Sequence, residues 1–137
     1  MFRRQLLFAS LTAALSCGSA LAEDFKPYPG SKLDQKASRA ASSGLGETQV
    51  YTTDDSFDRI YAFYKGLYKE FQFRVPKPKL PSGKEIQWAY FILDGGRDLS
   101  YSKCWLKIQR PYILTVDDNL DFKNIRDISV IQVLKKK

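Results

Sequence analysis

The stretch that decides the fold is residues 55–71, Asp-Ser-Phe-Asp-Arg-Ile-Tyr-Ala-Phe-Tyr-Lys-Gly-Leu-Tyr-Lys-Glu-Phe. Large apolar side chains recur in it every three or four residues, which is the spacing of one helix face. The members of this face are Phe57, Ile60, Tyr61, Tyr64, Leu67, Tyr68 and Phe71. Asp54 or Asp55 can cap the helix start, and Asp58 suits the positive end of the helix dipole. The pattern predicts a long amphipathic helix over residues 55–70.

Segments rich in β-branched and aromatic residues lie on both sides of this helix and predict strands. One precedes the helix at residues 48–53, and three follow it at residues 86–93, 99–109 and 125–134. Asp94-Gly95-Gly96-Arg97 predicts a hairpin turn between the first two of these three. The predicted fold class is therefore α+β, an antiparallel sheet of about four strands with one long amphipathic helix packed on one face.

Two other segments have less regular patterns. Residues 33–43 carry small apolar side chains at helical spacing and are compatible with a short helix or with a loop. Pro76, Pro78 and Pro81, followed by Ser82-Gly83, predict a rigid extended connection without regular secondary structure.

The N-terminus has the composition of a secretory signal peptide. Two arginines precede an apolar run at residues 6–15, and Ala20-Leu21-Ala22 fits a cleavage site. We therefore predict a signal peptide at residues 1–22 and a single α+β domain at residues 23–137, located in the periplasm or secreted. The apolar run is about half as long as a bilayer-crossing helix, so no transmembrane span is expected in the mature chain.

Two alternative export routes remain open. Ala14-Leu15-Ser16-Cys17 partly matches a bacterial lipoprotein box, in which Cys17 would carry the lipid. The pair Arg3-Arg4 resembles a twin-arginine signal. Cleavage after Ala22 would remove Cys17, which would leave Cys104 as a single cysteine without an internal disulfide partner.

Two short segments of the chain resemble a known group of proteins. Residues 28–34 read Tyr-Pro-Gly-Ser-Lys-Leu-Asp, and residues 50–65 contain Thr53-Asp54-Asp55-Ser56 followed by Phe63-Tyr64-Lys65. They are similar to small exported bacterial proteins of uncharacterised function, which have a Tyr-Pro-Gly start and a Thr-x-Asp-Ser-capped helix containing Phe-Tyr-Lys. The resemblance implies export and an α+β fold, and it assigns no catalytic residue.

The composition excludes several classes of catalytic site. The sequence contains no histidine, which removes Ser-His-Asp and Cys-His catalysis and most catalytic zinc sites. Without a histidine base, Cys104 is expected to be a buried core residue and not a nucleophile. Residues 117–121 open like a calcium loop, but Phe122 and Ile128 stand where the loop needs Gly and Glu. We therefore predict a protein that is not an enzyme and has no cofactor and no bound metal.

Basic residues give the clearest indication of binding. The chain carries 22 Lys and Arg against 15 Asp and Glu, a formal net charge of +7. Lys103 and Lys107 flank Trp105 on one face of a predicted strand, and a basic face with an aromatic side chain binds polyanions. In an exported protein the expected partner is an anionic cell-envelope component, such as lipid head groups, lipopolysaccharide or wall polymers, and not nucleic acid.

These observations predict an exported non-enzymatic domain that binds or supports a cell-envelope component, with Lys103, Trp105 and Lys107 as the binding patch. The alternative is a small-ligand-binding domain whose pocket lies between the helix and the sheet, lined by the aromatic helix face. Ordinary solubilising charge and plain core packing are the competing explanations of the two patterns.

Overall fold

The computed structural model describes residues 25–42, 44, 46–116 and 122–137. The predicted signal peptide, Cys17 and the acidic segment 117–121 lie outside these described residues. In chain order the elements are β1 Lys32–Leu33, α1 Gln35–Ala41, β2 Gly46–Thr53, α2 Phe57–Lys65, β3 Lys69–Phe71, β4 Gln87–Ile92, β5 Cys104–Arg110, β6 Tyr112–Val116, β7 Phe122–Arg126 and β8 Ser129–Lys136.

Six strands form one antiparallel sheet in the order β1-β2-β8-β5-β4-β3. β2 and β8 pair along their whole length, with Gly46 opposite Lys136 and Thr53 opposite Ser129. β6 and β7 form a separate two-stranded hairpin. The fold is therefore α+β with an antiparallel sheet, as the sequence predicts. The sheet is wider than predicted because the short edge strands β1 and β3 join it.

Helix α2 packs across one face of this sheet and builds the main core. Its side chains Phe57, Ile60 and Tyr64 are buried, as the helical periodicity predicts. They meet inward-facing side chains of the central strands, namely Ala89, Phe91, Cys104, Leu106, Ile108, Ile131 and Val133. Alternate residues of a strand point to opposite faces, so one face of β4, β5 and β8 is committed to this core.

The start of α2 differs from the prediction by one residue. The N-cap is Ser56, whose hydroxyl accepts the N–H of Arg59 at 3.3 Å, and neither Asp54 nor Asp55 takes that place. Asp55 instead accepts the hydroxyl of Tyr28 at 2.6 Å. Serine caps a helix as well as aspartate does, so the sequence alone does not decide which of these neighbouring residues is the N-cap.

The prediction of one long amphipathic helix was wrong in its second half. The helix ends at Lys65, and the N–H groups of Leu67 and Tyr68 both donate to the carbonyl of Tyr64, at 3.0 and 2.9 Å, as the chain turns. Leu67 is 45% exposed and does not belong to the packed face. The chain then pairs with β4 as strand β3, because aromatic residues suit a strand as well as a helix and the sheet edge offers backbone partners.

Two predicted strand boundaries were also wrong. β4 and β5 are joined by residues 93–103, and not by a tight turn at residues 94–97. The strand predicted at residues 125–134 is divided into β7 and β8 by a turn in which the N–H of Ile128 donates to the carbonyl of Arg126 at 2.8 Å. Apolar residues recur on both sides of this turn, with only Arg126 and Asp127 between Ile125 and Ile128, so the sequence pattern read as one strand.

The segment at residues 33–43, for which a helix or a loop was open, contains helix α1. Asp34 caps it by accepting the N–H of Ala37 at 2.9 Å. Two of its serines then reach the neighbouring strand β2. Ser38 Oγ accepts the N–H of Val50 at 2.9 Å, and Ser42 Oγ accepts the N–H of Thr48 at 3.1 Å. Since an uncovered strand edge invites pairing with other chains, α1 protects the outer edge of β2.

Candidate binding site on the open sheet face

The sheet face opposite α2 carries a row of aromatic side chains. We call it the aromatic face and define it by Phe71, Phe73, Trp88, Tyr90 and Trp105. Tyr90 lies at its centre, with ring centroids 4.7 Å from Phe73, 6.1 Å from Trp88 and 5.8 Å from Trp105. None of these five side chains belongs to the main core cluster beneath α2. The aromatic face is therefore a surface distinct from that core.

Lys107 lies in the middle of the aromatic face. Its neighbours across the strands are Tyr90 on β4 and Gln132 on β8. The Nζ atom of Lys107 is 5.4 Å from the ring centroid of Trp88 and 5.7 Å from that of Tyr90, within the range of cation–π attraction. Burial of the side chain lowers the pKa of Lys107 from its usual value. In the described part of the chain, no carboxylate lies within ion-pair distance of this ammonium group.

A cavity of about 280 Å³ opens beside Lys107. Strands β5 and β8 form its floor, and the proline-rich connection and strand β6 form two walls. Its lining residues are Pro78, Ile86, Trp88, Lys107, Gln109, Tyr112, Ile113, Val130 and Gln132. An apolar cavity with a few polar groups is the usual composition of a small-molecule site.

The first wall is a closed loop of the proline-rich connection. The N–H of Ile86 donates to the carbonyl of Pro78 at 2.9 Å, and the N–H of Leu80 donates to the carbonyl of Lys84 at 2.8 Å. These bonds hold the two ends of the loop together, so the wall is formed without a ligand.

The second wall, strand β6, is held in place by contacts with the sheet. Tyr112 is buried in a second apolar cluster with Val50 and Val130. The side-chain amide of Gln109 donates to the carbonyl of Pro111 at 3.1 Å, directly before β6. Both walls are therefore positioned by contacts of the folded chain.

Of the three residues of the predicted patch, Trp105 and Lys107 lie on β5 and Lys103 lies directly before it. Trp105 and Lys107 belong to the aromatic face, and Lys103 is exposed just before the strand, roughly 13 Å from Lys107 along the chain direction. Of the three, Lys107 lines the cavity. Trp105 pairs across the strands with Ile92 and Leu134, and its indole N–H is buried with no hydrogen-bond acceptor among the described residues.

Sequence reasoning missed the other lining residues for identifiable reasons. Gln132 interrupts the apolar run of β8, and this interruption was a usable signal of an outward-facing polar position. Tyr112 and Ile113 lie on β6, a strand that was not predicted. The space between α2 and the sheet is filled by Tyr64 and Phe91, both fully buried, and the cavity beside Lys107 lies on the opposite face.

Asp94 holds the chain segment that carries Lys103. Its carboxylate accepts the N–H groups of Gly96, Lys103 and Cys104 at 3.1, 2.6 and 3.2 Å, and the hydroxyl of Ser102 at 2.8 Å. Burial alone would raise the pKa of Asp94, but the hydrogen bonds outweigh burial and hold this pKa below its usual value.

We expect acid to weaken this segment through Asp94. Because the pKa of Asp94 is lower in the folded state, its stabilising contribution is present above the ordinary aspartate pKa of about 3.9 and is lost as the pH falls through the folded value. Thermal midpoints of the wild type and Asp94→Asn should therefore differ most at neutral pH and converge at low pH. The exposed Asp54→Asn serves as the matched control, and a pH-independent difference for Asp94→Asn would contradict this assignment.

No family model, curated protein or solved structure matches the chain. Among the described residues, no group of three or more His, Cys, Asp and Glu side chains is arranged to hold a metal ion. Of the helices in this part of the chain, none has both the length and the apolar composition that crossing a bilayer requires. The chemical character of the site therefore rests on the aromatic face and its cavity.

Proposed function

We propose that this protein is an exported, non-enzymatic domain that binds an anionic component of the cell envelope through the aromatic face. The observation that carries the proposal is the setting of Lys107, a half-buried ammonium held over Trp88 and Tyr90 beside an apolar cavity. Removing an ammonium group from water costs free energy unless an opposite charge or hydrogen bonds offset that cost. An anion that enters from outside supplies this compensation.

The sequence supports the location and the charge of the proposed partner. The signal-like residues 1–22 and the resemblance to small exported bacterial proteins support a place in the periplasm or outside the cell. The formal net charge is +7, and removal of Arg3 and Arg4 with the predicted signal peptide leaves 20 basic against 15 acidic residues, a net charge of +5. This positive charge favours approach to an anionic surface. In this proposal Lys103 attracts the partner at long range, Trp105 contributes apolar surface, and Lys107 makes the short-range contact.

Sedimentation with lipid vesicles tests the proposal. We expect the protein to sediment with vesicles that contain phosphatidylglycerol, to remain free of pure phosphatidylcholine vesicles, and to be released as salt is raised. The double variant Lys103→Glu with Lys107→Met should weaken retention about tenfold, with the thermal midpoint nearly unchanged, because it reverses the charge at position 103 and removes that of Lys107 while keeping an apolar stem there.

Lys65→Met is the control for the Lys107→Met half of this double variant. Lys65 also lies over an aromatic ring, with Nζ 5.2 Å from the centroid of Tyr61, but it belongs to α2 on the other side of the sheet. Its loss removes one charge and one cation–π contact without touching the aromatic face. Retention that is equal for the double variant and for Lys65→Met would refute the proposed surface.

A further inference from the structure

We infer that the cavity beside Lys107 holds one small amphipathic monoanion, with the anionic head group at Lys107 and Gln132 and the apolar body between the two walls. The inference rests on the proposed function, since it names the part of an anionic envelope component that enters the site. It replaces general attraction to a charged surface with recognition of a single molecule.

The charge of the cavity selects a single negative charge. Lys107 is the one charged residue among those that line it. A polyphosphate or a nucleic acid strand would place further negative charges against apolar walls, where nothing compensates them. A carboxylate or another monoanion balances the single ammonium group.

The hydrogen-bond donors on the cavity floor suit a carboxylate. The Nζ atom of Lys107 and the side-chain amide of Gln132 lie on neighbouring strands in direct register. Neither group forms a hydrogen bond to a residue that the structure describes, so the three ammonium N–H groups and the amide N–H groups have unused capacity. The Trp88 and Tyr90 rings position the ammonium group through cation–π contacts and take up none of this capacity.

The rest of the cavity suits an apolar body of limited length. Ile86, Val130 and Tyr112 present buried apolar surface, and Trp88 adds the face of an indole ring. The volume of about 280 Å³ lies near the lower end of ligand sites, which begin at roughly 300 Å³. A short alkyl or aryl acid fits this description better than a complete two-chain lipid.

Titration with octanoate, below its micelle-forming concentration, tests the inference. Calorimetry should show saturable binding of one octanoate per chain, with at least tenfold weaker binding of octylamine and of acetate. Octylamine has the wrong charge, and acetate has the head group without the apolar body. Lys107→Met should weaken octanoate binding at least tenfold, whereas Lys65→Met should leave it unchanged.

A second variant keeps the test decisive if Lys107→Met perturbs the fold. Ile113→Trp fills the cavity from a half-exposed wall position and retains Lys107, so it should weaken octanoate binding by a similar factor. Equal binding of octanoate and octylamine, or undiminished octanoate binding by both variants, would overturn the inference.

Vesicle sedimentation with the same protein samples separates this inference from the proposed function. Octanoate that binds and also releases the protein from phosphatidylglycerol vesicles supports both. No octanoate binding together with salt-sensitive vesicle retention overturns the single-molecule site and leaves the proposed function standing. No octanoate binding and no vesicle retention overturn both.

Discussion

Tyr64→Ala is expected to lower the free energy of unfolding by about 3–5 kcal/mol, the largest effect of any single substitution considered. Tyr64 is 0% exposed and lies between α2 and the sheet. Its ring centroid is 5.0 Å from that of Phe63, 5.9 Å from that of Tyr68 and 6.3 Å from that of Phe91. Truncation would leave a cavity that these rigid rings cannot close.

The hydroxyl of Tyr64 makes a separate contribution. It donates to the carbonyl of Lys26 at 2.9 Å and so ties the segment before β1 to the helix. Tyr64→Phe removes this hydrogen bond and keeps the ring, so it should cost only about 1 kcal/mol. Urea unfolding of the two variants measures both effects, and a loss below about 1 kcal/mol for Tyr64→Ala would contradict the central place given to this side chain.

Arg110→Ala is expected to cost about 2–3 kcal/mol, because Arg110 bonds the start of α2 to the centre of the sheet. Its guanidinium donates to the carbonyls of Asp54 and Asp55 at 3.3 and 3.0 Å and to that of Asp127 at 2.9 Å. It also donates to the hydroxyl of Ser129 at 3.0 Å, and that buried hydroxyl donates to the carbonyl of Asp55 at 2.7 Å. Removal of the guanidinium leaves several of these acceptors without a partner.

The ion pair of Arg110 contributes little to this effect. Its Nε lies 3.3 Å from the Asp127 carboxylate, but that side chain is 77% exposed against 21% for Arg110. Asp127→Ala should therefore cost less than about 1 kcal/mol. Arg110→Lys should remain destabilised, because one ammonium group cannot span the four acceptors on residues 54–55 and 127–129. If Asp127→Ala and Arg110→Ala lowered the free energy of unfolding equally, the ion pair, and not the hydrogen bonds to carbonyl oxygens, would account for the contribution of Arg110.

Local patterns predicted the parts of the fold that depend on local physics. The inward face of α2 at Phe57, Ile60 and Tyr64 followed from helical spacing, and the burial of Cys104 on β5 was predicted as well. The end of α2 was not predicted, because strand β3 exists only through its pairing with β4. A local pattern cannot report backbone partners that lie 19 to 23 residues away in the chain.

The candidate site was also predictable only in part, because local patterns do not show which distant strands become neighbours. The position of Lys107 opposite the core face of its strand follows from alternation alone. The proposed binding role of Lys107 depends on Gln132 from β8, Trp88 from β4 and Tyr112 from β6. The register of the sheet places Gln132 and Trp88 beside Lys107, and the β6–β7 hairpin places Tyr112 there. Lys103 belongs to the same sequence pattern, but it is not among the residues that line the cavity beside Lys107.

The pairing of β2 with β8 has a consequence for synthesis of the chain. β8 follows every other described strand in sequence, yet it lies between β2 and β5 and completes the middle of the sheet. A growing polypeptide therefore holds β1–β2 and β3–β4–β5 as two separate strand groups, which cannot join until β8 has left the ribosome. Because β8 pairs with β2 from far along the sequence, we expect the sheet to close late and the domain to fold slowly.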